Sequence, residues 1–245
     1  MPRIACFHGA GSNATIFEIQ CSFLSSLLSP TYTLEFFNGP FDRPAGPGVL
    51  PAFDECGPYK SWFDPSSGAE RNRTEGDGSG FDSVGRDGIS RVLGLMEARS
   101  REKVFDQSEW VGVIGFSQGT RVVGGLLLDQ QRYEDTQKGG IKARTVGKGI
   151  KLRFGVCCNG GGAPMESEIA FRLDNPSKVV QIPTLHVHGL KDEFLTNGRE
   201  QLAKYYDAST AKLYEINYHH AMPWVKAESA ELARLIKELD SRTRG

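Results

Sequence analysis

No apolar run in the chain approaches the roughly 20 residues needed to span a bilayer, and none near its start has the make-up of a signal peptide. A reduced, cytoplasmic protein without a membrane segment is therefore expected. Charge of either sign is not in excess: 29 Lys and Arg stand against 30 Asp and Glu, a net charge of −1. Neither nucleic acid nor an anionic membrane is an expected partner. The one basic stretch, 138–153, carries Lys142, Arg144, Lys148 and Lys151 among glycines rather than aromatics, and reads as a solvated loop. Cysteine is sparse, five in 245 residues without C-x-x-C spacing, which excludes a disulfide framework and a zinc ribbon. Cys6 and Cys157 fall in apolar strand candidates and read as small buried hydrophobes. No metal and no cofactor is expected.

Glycine, by contrast, is abundant at 29 residues. The chain is organised around Trp110-Val111-Gly112-Val113-Ile114-Gly115-Phe116-Ser117-Gln118-Gly119, an apolar β-branched run that breaks at Gly-Phe-Ser-Gln-Gly before a helical segment. A G-x-S-x-G pattern between strand and helix is what a nucleophile elbow needs. At this glycine content the bare pattern would arise by chance in roughly one of four or five such chains. Its weight therefore depends on partners elsewhere.

Along the chain, 4–8 is a strand ending in His8-Gly9-Ala10-Gly11. Ile16, Phe17, Ile19, Gln20, Phe23, Leu24, Leu27 and Leu28 then recur at helical spacing, and 31–37 is a second strand. This is a βαβ unit, with parallel pairing implied by its right-handed crossover. Residues 40–80 lose periodicity under repeated Pro and Gly, yet hold Phe41, Val49, Leu50, Phe53, Tyr59, Trp62 and Phe63. They read as a cover over the active site, ordered to about Asp64 with a mobile tip from 65 to 80. Helical periodicity through Val84, Ile89, Val92, Leu93 and Met96 spans 81–101, and 132–149 reads as a polar surface insertion. Further strands are expected at 152–158, 184–188 and 212–216. Helices are expected near 166–172, over 198–206 and over 224–239, with Pro223 at the first turn of the last. Six strands alternating with helices, without internal repeat or linker, specify one α/β domain over 1–245 with a doubly wound, mostly parallel sheet.

In such a sheet, ligands sit at the carboxyl ends of the strands. Gly9-Ala10, Ser117, Asp192 and His220 all fall at such ends. A serine nucleophile needs a base within hydrogen-bond reach and a carboxylate to orient the base. The order Ser, acid, His is the α/β-hydrolase order. Asp192 is preferred to Glu193 because Gly189 lets the chain turn sharply before it. His8 precedes the serine, and His186 and His188 read as hydrogen-bonded core histidines. The residues alone leave both His219 and His220 open as the base.

These residues resemble the fungal serine hydrolase (FSH1) family within the α/β-hydrolases. The resemblance rests on His8-Gly9, Phe17, Gln20, Ser61-Trp62, the Gly115–Gly119 pentapeptide, Pro183-Thr184-Leu185-His186-Val187 with Gly189 and Asp192, and His220-x-x-Pro223. It spans nearly the whole chain. It implies a Ser117, Asp192 and His220 triad, and an oxyanion hole from the backbone N–H groups of Ala10 and Gln118. One departure is Tyr218-His219, where the family usually carries two glycines. The resemblance further implies ester or thioester hydrolysis that releases or trims a polyketide product, with the acyl carrier domain of a polyketide synthase as a partner. The cover aromatics Phe41, Phe53, Tyr59, Trp62 and Phe63 suit a hydrophobic acyl chain and are candidate substrate contacts. The alternatives are a general carboxylesterase or lysophospholipase-like hydrolase, and a non-hydrolytic cyclase or ligand receptor on the same fold.

Overall fold

The computed structural model describes residues 1–67, 80–102, 108–137 and 144–244. Strands β1 (Arg3–Phe7) and β2 (Thr33–Phe37) enclose helices α1 (Ala14–Gln20) and α2 (Ser22–Leu28). The single helical pattern expected here is split at Cys21. Asn13 caps α1 by accepting the Ile16 amide at 2.9 Å. In the cover, β3 (Phe41–Asp42) and β4 (Lys60–Ser61) form a two-stranded antiparallel ribbon. Helix α3 (Gly88–Glu102) begins later than its periodicity suggested, and Val84 lies outside it, 71% exposed. Asp87 stops it from starting earlier, accepting the Ile89 amide at 2.8 Å as a cap does.

Strand β5 (Trp110–Phe116) leads into α4 (Gly119–Gln137), and β6 (Phe154–Cys158), α5 (Glu168–Arg172), β7 (Thr184–Gly189), α6 (Leu195–Tyr205), β8 (Ala211–Ile216) and α7 (Lys226–Arg242) follow. The principal sheet has six strands in the order β2-β1-β5-β6-β7-β8, parallel throughout. The expected doubly wound α/β architecture is observed.

Both faces of the sheet are covered, so β5 and β6 are apolar at every position rather than alternating. In β1, Ile4 and Cys6 pack with α2 and α7 on one side, whereas Ala5 and Phe7 pack with α3 and α4 on the other. Gly112 makes room in β5 for the Phe154 ring, which would lie 2.4 Å from an added Cβ.

Two further expectations need correction. The surface insertion over 132–149 begins as helix, because α4 continues to Gln137. Arg132 there is buried, paired with Glu166 at 2.6 Å and donating to the Ser177 carbonyl at 2.7 Å. Pro223 lies before α7 rather than in its first turn, because the chain first turns through Val225, whose amide donates to the Tyr218 hydroxyl at 2.9 Å. Residues 68–79, most of the expected mobile tip, lie outside the described residues, as do 138–143 of the insertion. Among the described residues no helix is long and apolar enough to cross a membrane.

Candidate active site

β5 is a buried central strand, and α4 must pack back across it immediately after one turn. That reversal puts Ser117 in the left-handed region at φ +50°, a conformation uncommon for a non-glycine residue and one that is found where the surroundings enforce it. The flanking glycines are required by close approach. A Cβ on Gly115 would lie 2.4 Å from the Gly119 carbonyl carbon, and one on Gly119 would lie 2.1 Å from the Phe7 carbonyl oxygen. The Ser117 amide donates to the Cys158 carbonyl at 2.9 Å, tying the turn to β6. Gly-Phe-Ser-Gln-Gly is therefore an elbow by geometry as well as by spelling.

The turn after β1 lies directly against it. An added Cβ on Gly9 would meet Phe116 Cδ1 at 3.1 Å and Ser117 Cβ at 3.2 Å. His8, wholly buried, holds this turn from behind. Its Nδ1–H donates to the Gly9 carbonyl at 2.7 Å and its Nε2 accepts the Gly39 amide at 2.9 Å. Those two bonds require the neutral ring, and burial pulls the His8 pKa down to about 4.

Asp192 and His220 meet across two loops. Asp192 Oδ2 and His220 Nδ1 are 2.7 Å apart, and Asp192 Oδ1 accepts the Phe194 amide at 2.8 Å. The imidazole sits between the rings of Phe116 and Phe194, 4.9 and 5.0 Å away between centroids. His219 points elsewhere: it is exposed, with Nδ1 3.2 Å from the Lys191 carbonyl. Of the two histidines the sequence leaves open, His220 is thus the one against the carboxylate. The loops are zipped together by Leu190 N–H to the Ile216 carbonyl (2.8 Å) and Lys191 N–H to the Tyr218 carbonyl (2.9 Å). His186 is buried in β7 and His188 at its end, where His188 lines a small pocket together with Asp192.

Ser117, His220, Ala10 and Gln118 line one cavity of about 400 Å³. Its walls are largely apolar, with Phe116, Phe194 and Met222 near the serine and Ile19, Phe23 and Trp224 towards solvent. Of the cover aromatics expected to meet substrate, Phe53 lines this cavity, together with Val49 from the same segment. Phe41, Tyr59, Trp62 and Phe63 are not among its lining residues. Trp62 and Phe63 are instead packed behind the wall. The Trp62 indole donates to the His8 carbonyl at 2.9 Å, and the Phe63 ring lies under the Arg121 guanidinium at 4.0 Å. Tyr59 is held by its own segment, its hydroxyl donating to the Phe53 carbonyl at 2.7 Å. Arg91 lies over Phe41 at 5.2 Å.

The cover is fastened to the elbow by a group not anticipated. Gln118 Oε1 accepts the Trp62 amide at 2.8 Å, with Ser61 Oγ at 3.2 Å. A second fastening is backbone against backbone. Gly46 N–H donates to the Gly11 carbonyl at 2.9 Å, and a Cβ on Gly46 would lie 2.1 Å from the Ala10 carbonyl oxygen. Asn159, also unanticipated, links the ends of β6 and β7 to the His220 loop. No charge or motif singles it out, because it stands at the head of the glycine run Asn159-Gly160-Gly161-Gly162.

The model of the serine hydrolase (FSH1) family matches residues 1–232. The chain is 34% identical to probable esterase azaC of Aspergillus niger, covering 95% of this chain and 82% of that protein. It is 31% identical to esterase pigG of Monascus ruber, covering 99% and 93%. Among solved structures, acyl-protein thioesterase 2 of Zea mays superposes with a TM-score of 0.54 over 98% of this chain and 94% of that one. At 17% identity, that likeness speaks to the fold alone.

Proposed function

The chain belongs to the serine hydrolase (FSH1) family, and from that premise we propose that it hydrolyses hydrophobic acyl thioesters or esters through Ser117, Asp192 and His220. The observation that carries this reading is the 2.7 Å contact between Asp192 and His220, which lines the same cavity as Ser117 at its left-handed elbow.

In the first step the Ser117 hydroxyl adds to the acyl carbonyl while His220 Nε2 takes its proton. Asp192 holds the other nitrogen, fixing the tautomer and stabilising the imidazolium as it forms. The negative oxygen of the tetrahedral intermediate is met by the backbone N–H groups of Ala10 and Gln118. Each such donor contributes about 3–4 kcal/mol to the transition state. Gln118 stands just before α4, so the positive end of that helix favours the same charge. The C–S or C–O bond then breaks, and His220 returns its proton to the departing sulfur or oxygen. Water adds to the acyl-enzyme by the same route, with His220 again as base, and releases the free acid.

The apolar wall supports an acyl chain over a small polar ester. Ile19, Phe23 and Trp224, between 50% and 61% exposed at the cavity, extend an apolar path beyond it. A carrier-tethered polyketide acyl chain would thread such a path, with the carrier domain resting at the mouth. The test is to compare acyl-N-acetylcysteamine thioesters of increasing length with acetyl esters, using the parent and Ser117→Ala. Turnover should rise with chain length and fall by several orders of magnitude in Ser117→Ala, with the fold unchanged by circular dichroism. A Ser117→Ala variant with parental turnover would mean that another group is the nucleophile. Preference for acetyl esters would mean a general carboxylesterase.

A further inference from the structure

β6 ends at Cys158, and the residue that follows carries an unusual backbone. Asn159 is buried with φ +47°, one of three non-glycine residues at positive φ among those described. Asparagine tolerates this region better than most residues, and a strained residue held in place by its surroundings is commonly part of a site. Its amide N–H donates to the Val187 carbonyl at 2.8 Å, extending the pairing of β6 with β7.

The side chain reaches both halves of the Asp192–His220 pair. Asn159 Oδ1 accepts the Gly189 amide at 2.7 Å. Asn159 Nδ2 donates to the Ala221 carbonyl at 3.0 Å and approaches the His219 carbonyl at 3.4 Å. The orientation of the amide is fixed by its partners, since one side faces an N–H and the other faces carbonyl oxygens. Gly189 begins the turn that carries Asp192, whose amide donates back to the Gly189 carbonyl at 3.0 Å. His219 and Ala221 are the two neighbours of His220. The backbone zipper between the loops described above ends at Tyr218, and beyond it the segment that bears the base is held by this amide together with the His219 ring at the Lys191 carbonyl.

We infer that Asn159 is a positioning residue, which sets the His220 imidazole against Asp192 by fixing the carbonyls on both sides of His220 to the turn that carries the acid. The inference rests on the proposed roles of Ser117, Asp192 and His220. Misplacing a catalytic group by about 1 Å is enough to cost about 100-fold in rate. Because His220 acts in both acylation and deacylation, the loss appears in kcat; Asn159 also lines the cavity, but the apolar residues Ile19, Phe23, Phe53 and Trp224 that would hold the acyl chain stay in place.

Two variants separate this role from general support of the fold. Asn159→Gly keeps the left-handed backbone and removes the amide. Asn159→Asp keeps the shape and the acceptor, but turns a carboxylate oxygen towards two carbonyls. Asn175→Gly, at an exposed residue with φ +56°, controls for a glycine in a left-handed position. Turnover of a p-nitrophenyl ester is measured well below each variant's Tm and divided by the serine titrated with a fluorophosphonate. Both Asn159 variants should lose about 10- to 100-fold in kcat per titrated serine with KM within about twofold, and the control should match the parent. A kcat per titrated serine within about twofold of the parent in Asn159→Gly would overturn the inference, however far Tm falls. Should that variant not fold, Asn159→Asp is read against the same limit. If Ser117→Ala kept its turnover, the nucleophile assignment would fail instead, so the two failures are distinguishable.

Discussion

Acidification from pH 7.5 to 5.0 is expected to lower the stability of the fold by about 3 kcal/mol, chiefly through two buried histidines. Burial holds His8 down to about 4, and burial together with the nearby His188 ring holds His186 down to about 3, from an ordinary value of 6.5. Both pKa values are depressed, so the stability they contribute is complete above 6.5 and is lost as pH falls towards the folded values. At pH 5.0 the unfolded chain has taken up both protons and the folded chain neither, which costs about 2 kcal/mol for each histidine. His188, also lowered by burial, adds in the same direction. Asp129 opposes them: burial raises its carboxyl to about 6, so the folded chain takes up that proton first and regains about 1 kcal/mol by pH 5.0. Urea unfolding at the two pH values measures the difference directly, provided the slope stays constant. His186→Leu isolates the cause, because His186 lies outside the cavity in the core, with its Nε2 bonded to Thr184 Oγ1 at 3.2 Å. This variant should lose about 2 kcal/mol of the pH-dependent change, whatever its absolute stability. An unchanged pH difference in His186→Leu would refute the reasoning from burial.

Two further outcomes follow from the site. Asp192→Asn should lower kcat by about 10⁴-fold with little change in KM, because an amide cannot stabilise the imidazolium or enforce its tautomer; steady-state ester hydrolysis at pH 8 checks it. Phe23→Ala should raise KM about tenfold for long-chain thioesters and leave acetyl esters unaffected, since Phe23 lines the cavity half exposed and losing about 50 Å² of apolar contact costs about 1.3 kcal/mol; a substrate-length series checks it.

Much of this was legible from residue pattern because the relevant forces act locally. A parallel strand covered on both faces is apolar throughout, so 110–116 announced itself, and Gly115 is demanded by Gly119 only four residues on. What was not legible depends on partners distant in sequence. Arg132 looks like a surface charge until Glu166 and Ser177 enclose it. Trp62 and Phe63 look like substrate contacts until His8 and Arg121 claim their faces, leaving Val49 and Phe53 to line the cavity. The break between α1 and α2 is silent because Cys21 fits either side of a helical period. The resemblance points to the Gln118 backbone N–H, and nothing in its neighbourhood forecasts a side chain that clasps a segment more than fifty residues earlier.

The departure at Tyr218-His219 shows how the loop works without the glycines usual in the family. Neither residue adopts a positive φ, so the chain reaches His220 without the conformations that only glycine takes easily. The close approach is made from the other side. A Cβ on Gly189 would lie 2.5 Å from the Tyr218 carbonyl oxygen and 2.7 Å from that of His219. The small residue the contact needs therefore stands on the acid turn, and the loop is free to carry side chains. Tyr218 uses that freedom to bury its ring against Trp224, 5.3 Å between centroids, and to accept the Val225 amide on its hydroxyl. His219 turns out to solvent over Lys191. The loop is thus braced at Tyr218 from the α7 side and at Ala221 by Asn159 from the β6 side, with His220 between the two supports. On the proposed mechanism both supports are needed to hold the His220 imidazole in one orientation, which a proton shuttle used in both halves of an acyl transfer requires.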